Sequence, residues 1–152
     1  MSEEPQDFSF DFEVRKTNAD QMLVFGYAQL SKAAGSSGLM VDSQGDYIEP
    51  TELEKAAYEF VATCRVGGDM HVRKGTGELV ESIVFTDEKR QALATDPTTG
   101  KVDEVALAVF KATIPDGWWV GYRISDPVQW EMVKSGERPM FSVHGRAKRR
   151  VA

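Results

Sequence analysis

The residues of this chain best suited to chemistry are two histidines and a serine. Ser142 lies near the end of the sequence in a segment whose apolar and polar residues alternate as in a β-strand, so Ser142, His144 and Arg146 share one face. The other histidine, His71, lies in a second short alternating segment. A serine hydroxyl becomes nucleophilic when a neighbouring base accepts its proton, and histidine, with a pKa near ~6.5, is the usual base. These residues predict acyl transfer with Ser142 as nucleophile and His71 as general base.

A third group normally orients the base, and the sequence offers three candidates. Glu81 lies in a predicted strand that would return beside His71 after a turn, where cross-strand contact is easy. Asp69 shares a face with His71, and His144 lies two positions from Ser142. We expect Glu81 to steady His71, with His144 and Asp69 as alternatives.

Composition narrows the class of protein. The 152 residues are 41% hydrophobic and 28% charged, which predicts one globular domain over 1–152, with a flexible acidic N-terminus at about 1–7 and a short basic tail at about 146–152. The net charge of −6 argues against general nucleic-acid binding. The start of the sequence has no secretory leader pattern, and no segment is apolar enough to span a membrane, so we expect a protein that is not secreted.

No cofactor is predicted. Two histidines and one cysteine form no recognisable metal-ligand spacing, and no glycine-rich phosphate loop follows a strand. The single cysteine, Cys64, cannot form an internal disulfide, and its place at the end of an apolar helical stripe predicts a buried residue.

Periodicity predicts an α+β fold. Alternating or apolar runs predict strands, glycine and proline clusters predict turns, and helical spacing predicts about three short helices, the first with Thr51 and Glu54 as a capping box. The predicted strands are 8–15, 22–30, a brief strand and turn within 39–47, the His71 segment 69–73, 78–85, 105–114, 118–124 and the segment of Ser142. The predicted hairpin turns include 75–77 and 115–117. The pattern predicts a largely antiparallel sheet or a distorted barrel.

Several separate motifs, in order, carry a resemblance over roughly residues 20–147. They are the run Val41-Asp42-Ser43-Gln44-Gly45-Asp46-Tyr47, the helix 53–60, a histidine, Val80-Glu81-Ser82, Trp119-Val120-Gly121, Asp126 with Trp130, and Phe141-Ser142-Val143-x-Gly145. In this order they resemble the XkdF-like phage serine proteases, which belong with the prohead maturation proteases of tailed phages.

The resemblance implies an endopeptidase with a fold similar to the herpesvirus assembly proteases (assemblin-like). His71 and Ser142 correspond to the family's histidine and serine, and Arg146 could support the oxyanion. The implied partners are phage scaffold and major capsid proteins, with self-association, inside a procapsid assembling in the host cytoplasm. The alternative is a catalytically inactive capsid-assembly module of the same fold.

Overall fold

The computed structural model describes the backbone of residues 6–18, 21–42, 45–69, 73–137 and 140–147, and the side chains of 21–42, 45–65 and 77–137. The elements follow one another as β1 (Gln6–Asn18), β2 (Leu23–Lys32), α1 (Pro50–Thr63), β3 (Val66–Asp69), β4 (Arg73–Phe85), α2 (Asp87–Leu93), α3 (Glu104–Thr113), β5 (Asp116–Ile124), α4 (Pro127–Ser135) and β6 (Met140–Ala147). The α+β class is confirmed, with four helices in the described ranges rather than three.

The strands are hydrogen-bonded in the order β3-β4-β5-β2-β1-β6. The pairs β1–β2, β1–β6 and β3–β4 are antiparallel. The predicted hairpin of the first two strands is therefore confirmed, because Asn18 at the end of β1 pairs with Leu23 at the start of β2. In this order β3 and β6 are the two end strands.

The segment 105–114 forms helix α3, so its prediction as a strand was wrong. The Asp103 carboxylate accepts hydrogen bonds from the backbone N–H groups of Val105 and Ala106, each at 3.0 Å, and so caps the helix. A short apolar run fits a buried strand and a buried helix equally well, and here the cap decides for the helix. The predicted turn at 115–117 is also wrong, since β5 begins at Asp116.

The predicted turn at 75–77 is wrong as well. Strand β4 continues through this segment, and the pairing of Asp69 with Arg73 places the connection between β3 and β4 at 70–72. Gly77 serves a different purpose: a Cβ there would lie 3.3 Å from the carbonyl oxygen of Arg123 and 3.4 Å from Cδ1 of Ile124. Glycine at this position lets β4 and β5 approach closely.

Helix α1 begins earlier than the capping box required. Pro50 occupies the first turn, and the N-cap residue Glu49 makes no side-chain capping bond, so the predicted box of Thr51 and Glu54 was wrong. The helix ends at Thr63, before the glycine pair predicted to end it. Cys64 is exposed rather than buried, because it lies beyond the last turn as the C-cap residue.

The predicted helices α2 and α4 are confirmed by their caps. Thr86 accepts a hydrogen bond from the backbone N–H of Lys89 at 3.3 Å. Asp126 caps α4 with Pro127 in its first turn, and Gly136 ends it with a φ of +82° that favours glycine. In the described part of the chain, no helix has the length and apolarity needed to cross a bilayer.

The chain divides into two compact units, and the single-domain assignment stays a prediction. The first unit comprises Met1–Ala28, Val66–Val80 and Gly121–Ala152; its buried apolar residues include Leu23, Val24, Ala28 and Trp130. The second comprises Gln29–Arg65 and Glu81–Val120. Its buried apolar residues are Leu53, Ala57, Val84, Ala94, Leu107, Trp118 and Val120, and the ring of Phe60 packs edge-on against Trp118 with centroids 5.3 Å apart.

Candidate active site

The predicted nucleophile lies in β6, paired with the N-terminal strand. The strand prediction for this segment is confirmed, and its register with β1 places Ser142 opposite Asp11. Directly opposed residues in an antiparallel ladder have Cα atoms ~4.5–5.5 Å apart. Ser142 therefore has an acidic residue as its immediate neighbour on the adjacent strand.

The same register pairs further polar residues on either side of the ladder. His144 pairs with Ser9, and Arg146 pairs with Asp7. Because directly opposed residues occupy the same face of a ladder, the face of Ser142 is polar on both strands from Ser142 to Arg146. The alternating sequence of β1 signals this face, but only the register identifies Asp11 as the residue beside the serine.

The predicted base lies outside the described residues. His71 belongs to the connection 70–72, which is flanked by Asp69 at the end of β3 and Arg73 at the start of β4. The two candidate catalytic residues are thus associated with opposite ends of the strand order, β3 with His71 and β6 with Ser142. In a flat sheet, five strand spacings would separate these ends by ~24 Å.

Glu81 does not have the position that suggested its role. The register pairs Val66 with Glu78 and Asp69 with Arg73, so Glu81 lies beyond the residues of β4 that pair with β3. The expectation that Glu81 lies across from the His71 segment was therefore wrong. The exposed carboxylate instead accepts a hydrogen bond from the indole N–H of Trp119 at 3.0 Å.

The neighbouring residue of β4 makes a matching contact. Ser82 accepts a hydrogen bond from the indole N–H of Trp118 at 2.9 Å. Consecutive residues of β4 thus accept from consecutive tryptophans of β5. The hydrogen bond with Trp119 gives Glu81 a structural partner in the second unit. Asp69 and His144 remain the alternative candidates for the third catalytic residue, the one that orients the base.

A buried charge cluster lies in the second unit. The guanidinium of Arg90, 6% exposed, is ion-paired with Asp116 at 2.5 Å and with Asp87 at 2.6 Å, and donates to the carbonyl of Ile114 at 3.2 Å. Burial works to lower the pKa of Arg90, but the hydrogen bonds to both carboxylates raise it above its ordinary value. A permanently charged arginine is unsuited to proton transfer, so this cluster fastens α2 to the junction of α3 and β5.

Comparisons with known proteins agree with the sequence motifs. A family described as "Putative phage serine protease XkdF" matches residues 11–150. The chain is also similar to the protein named "Uncharacterized protein YqbD" of Bacillus subtilis (strain 168), with 30% identity over 149 residues. That alignment covers 97% of this chain and 38% of the relative, so the chain spans well under half of the relative's length. No solved structure matches. Because the family match extends over nearly the whole chain, including all of β6 and residues 11–18 of β1, the chain belongs to the XkdF family.

Proposed function

We propose that this chain is a serine endopeptidase that cleaves scaffold and major capsid proteins during procapsid maturation in the host cytoplasm. The observation that carries the proposal is the position of Ser142, in an end strand of the sheet and on a face that is polar across two strands. Membership of a phage serine protease family supports the reaction type.

An end strand is a suitable place to bind a peptide substrate. Strand β6 has one neighbour, β1, in the strand order. An extended peptide can add to such an edge through main-chain hydrogen bonds, with alternate side chains entering pockets. This mode would lay the scissile bond of a scaffold segment alongside Ser142.

In the first arrangement, His71 is the base and the sheet curls into a distorted, partly closed, assemblin-like barrel. This barrel brings the β3 end of the sheet towards Ser142 and leaves the edge of β6 open for the substrate. Irregularities in the ladders at Val14/Lys16 of β1 and at Gly67/Gly68 of β3 support curling, since β-bulges increase twist and are frequent at barrel rims.

The chemistry then follows the usual course of acyl transfer. His71 accepts the Ser142 proton as Oγ attacks the carbonyl carbon, and the histidine returns that proton to the leaving amine when the C–N bond breaks. Water hydrolyses the acyl-enzyme in the reverse sequence. Backbone N–H groups near Ser142, with Arg146, would stabilise the oxyanion.

The second arrangement uses only the β1–β6 ladder. His144 is two residues from Ser142, and Asp11 is opposite Ser142 and therefore diagonal to His144. Diagonal neighbours lie ~7–8 Å apart at their Cα atoms, within reach of long side chains. Serine, histidine and aspartate would then form the site without any approach of β3 to β6.

The proposal is tested with a fluorophosphonate probe, which reacts with activated serines, and with cleavage of the co-expressed scaffold and capsid proteins. We expect the wild-type chain to be labelled at Ser142 and to cleave scaffold, and the Ser142→Ala variant to do neither. The inactive-module alternative predicts no labelling and no cleavage by a folded wild-type chain, and that result would overturn the proposal.

A further inference from the structure

Helix α3 is apolar on two sides, and only one side faces the core. Leu107 is buried at 8% exposure, while Val105 and Val109 on the other side are 76% and 51% exposed. Ala108 and Ala112 are exposed as well. These four residues follow the spacing of one helix face, and we call them the outer stripe of α3.

This stripe is unusual for a surface helix, whose outward face is normally polar. The loop at Gly35 approaches the end of α3, where its backbone N–H donates to the carbonyl of Lys111 at 3.0 Å, yet Ala112 stays exposed. Another exposed apolar residue, Leu93 at 53%, lies next to Ala94, whose carbonyl accepts from the N–H of Asp103 just before α3. An exposed apolar residue therefore lies one position from the backbone contact that precedes the helix.

We propose that the outer stripe is a docking surface for a second copy of this chain, bound with the two α3 helices antiparallel about a twofold axis. Charge placement favours this occupant. Glu104 and Lys111 are one heptad apart and so flank the stripe on the same side. In an antiparallel pair, each Glu104 meets the Lys111 of the other copy.

The shape of the stripe also suits self-pairing. Val105 of one copy packs near Val109 of the other, and Ala108 lies nearest the axis. Alanine at the crossing allows the helix axes to approach to ~8 Å, and antiparallel helix dipoles attract. In a parallel pair about a twofold axis, the flank that carries Glu104 and Lys111 would lie on opposite sides of the interface in the two copies, so these charges would not meet.

The size of the surface predicts a weak dimer. A ten-residue helix is about 15 Å long, so one helix pair buries less than the ~1,000 Å² typical of a stable interface. We therefore expect dissociation constants of ~10⁻⁵–10⁻⁴ M and association that depends on protein concentration.

Sedimentation velocity across a concentration series tests the dimer directly. We expect Val109→Glu to shift the chain to monomer, while the matched variant Val128→Glu, at 58% exposure on α4, leaves association unchanged. Glu104→Lys should weaken association, and adding Lys111→Glu should restore it. Circular dichroism confirms that each variant is folded. A chain that stays monomeric at every concentration overturns the proposal.

Disulfide trapping tests the antiparallel geometry. In a Cys64→Ser background, oxidation of Ala108→Cys should give a covalent dimer, and Val128→Cys should not. Val105→Cys should cross-link poorly, because antiparallel packing carries the two copies of position 105 apart. Equal cross-linking at 105, 108 and 112 would indicate parallel packing and overturn the antiparallel assignment.

Discussion

Asp11 and Ser142 are direct partners in the antiparallel β1–β6 ladder. A carboxylate beside a serine nucleophile disfavours negative charge on the attacking oxygen but stabilises an imidazolium nearby. The value of Asp11 to catalysis therefore depends on which histidine is the base. The two proposed arrangements differ on this point, and mutations separate them.

His71→Ala and Ser142→Ala should each reduce scaffold cleavage by ~10³-fold or more, because members of one catalytic unit fail together rather than additively. Unchanged melting temperatures would show that both variants fold. Phage carrying either change should accumulate uncleaved procapsids. Normal processing by Ser142→Ala would assign cleavage to another protein.

His144→Ala and Asp11→Asn should each change the rate of Ser142 labelling by less than ~10-fold if these residues only line the cleft. Glu13→Gln is the matched control for Asp11→Asn, since Glu13 lies on the same face of β1 but pairs with Met140. If the labelling rate falls severely in both His144→Ala and Asp11→Asn but hardly changes in His71→Ala, the base is His144 and the orienting carboxylate is Asp11.

Glu81→Gln should leave both labelling and cleavage within about twofold of wild type. The glutamine carbonyl can still accept the hydrogen bond from Trp119, and the register does not place position 81 opposite the β3 end of the hairpin. A ~10²-fold fall in turnover, as loss of an orienting carboxylate causes, would restore Glu81 to the catalytic site.

Gly77→Ala should lower the free energy of unfolding by ~1–3 kcal/mol, because the new methyl group presses on the backbone of Arg123. Gly38→Ala is the control: its Cβ would meet only the hydroxyl of Ser36, at an ordinary 3.5 Å. Denaturant titrations of the two variants measure the difference. Equal stability would show that β4 and β5 have room for the side chain.

Asp87→Asn should destabilise the protein near neutral pH by less than about 1 kcal/mol, since the carboxylate is exposed. The hydrogen bond from Arg90 lowers the pKa of Asp87 below its ordinary 3.8. Its stabilisation is therefore present above that pH and is lost as the pH falls through the lower folded-state pKa.

The difference in melting temperature between the wild type and Asp87→Asn should therefore become smaller below about pH 4. Glu88→Gln provides the control, because Glu88 lies in the same first turn of α2 but is not the ion-pair partner of Arg90. A difference in melting temperature between the wild type and Asp87→Asn that stays constant down to about pH 2 would contradict this explanation.

Local signals in the sequence were sufficient for several elements. Asp126, Pro127 and Gly136 define α4 because a cap, a preset φ and a left-handed terminus are properties of individual residues. The alternation around Ser142 defined β6 for the same reason. The serine and histidine chemistry and the family resemblance likewise depend only on residue types and their order.

The errors arose where two structures satisfy the same local pattern. The apolar run of α3 also fits a strand, and the Asp103 cap makes it a helix. The glycines at 75–77 also fit a turn, but Gly77 lies inside β4, close to the backbone of Arg123. Tertiary structure alone decided which residues are neighbours. The first and last strands, β1 and β6, pair through backbone hydrogen bonds whose register no local sequence encodes, and this register places Asp11 beside Ser142. The register of β3 with β4 likewise leaves Glu81 beyond the paired part of β4.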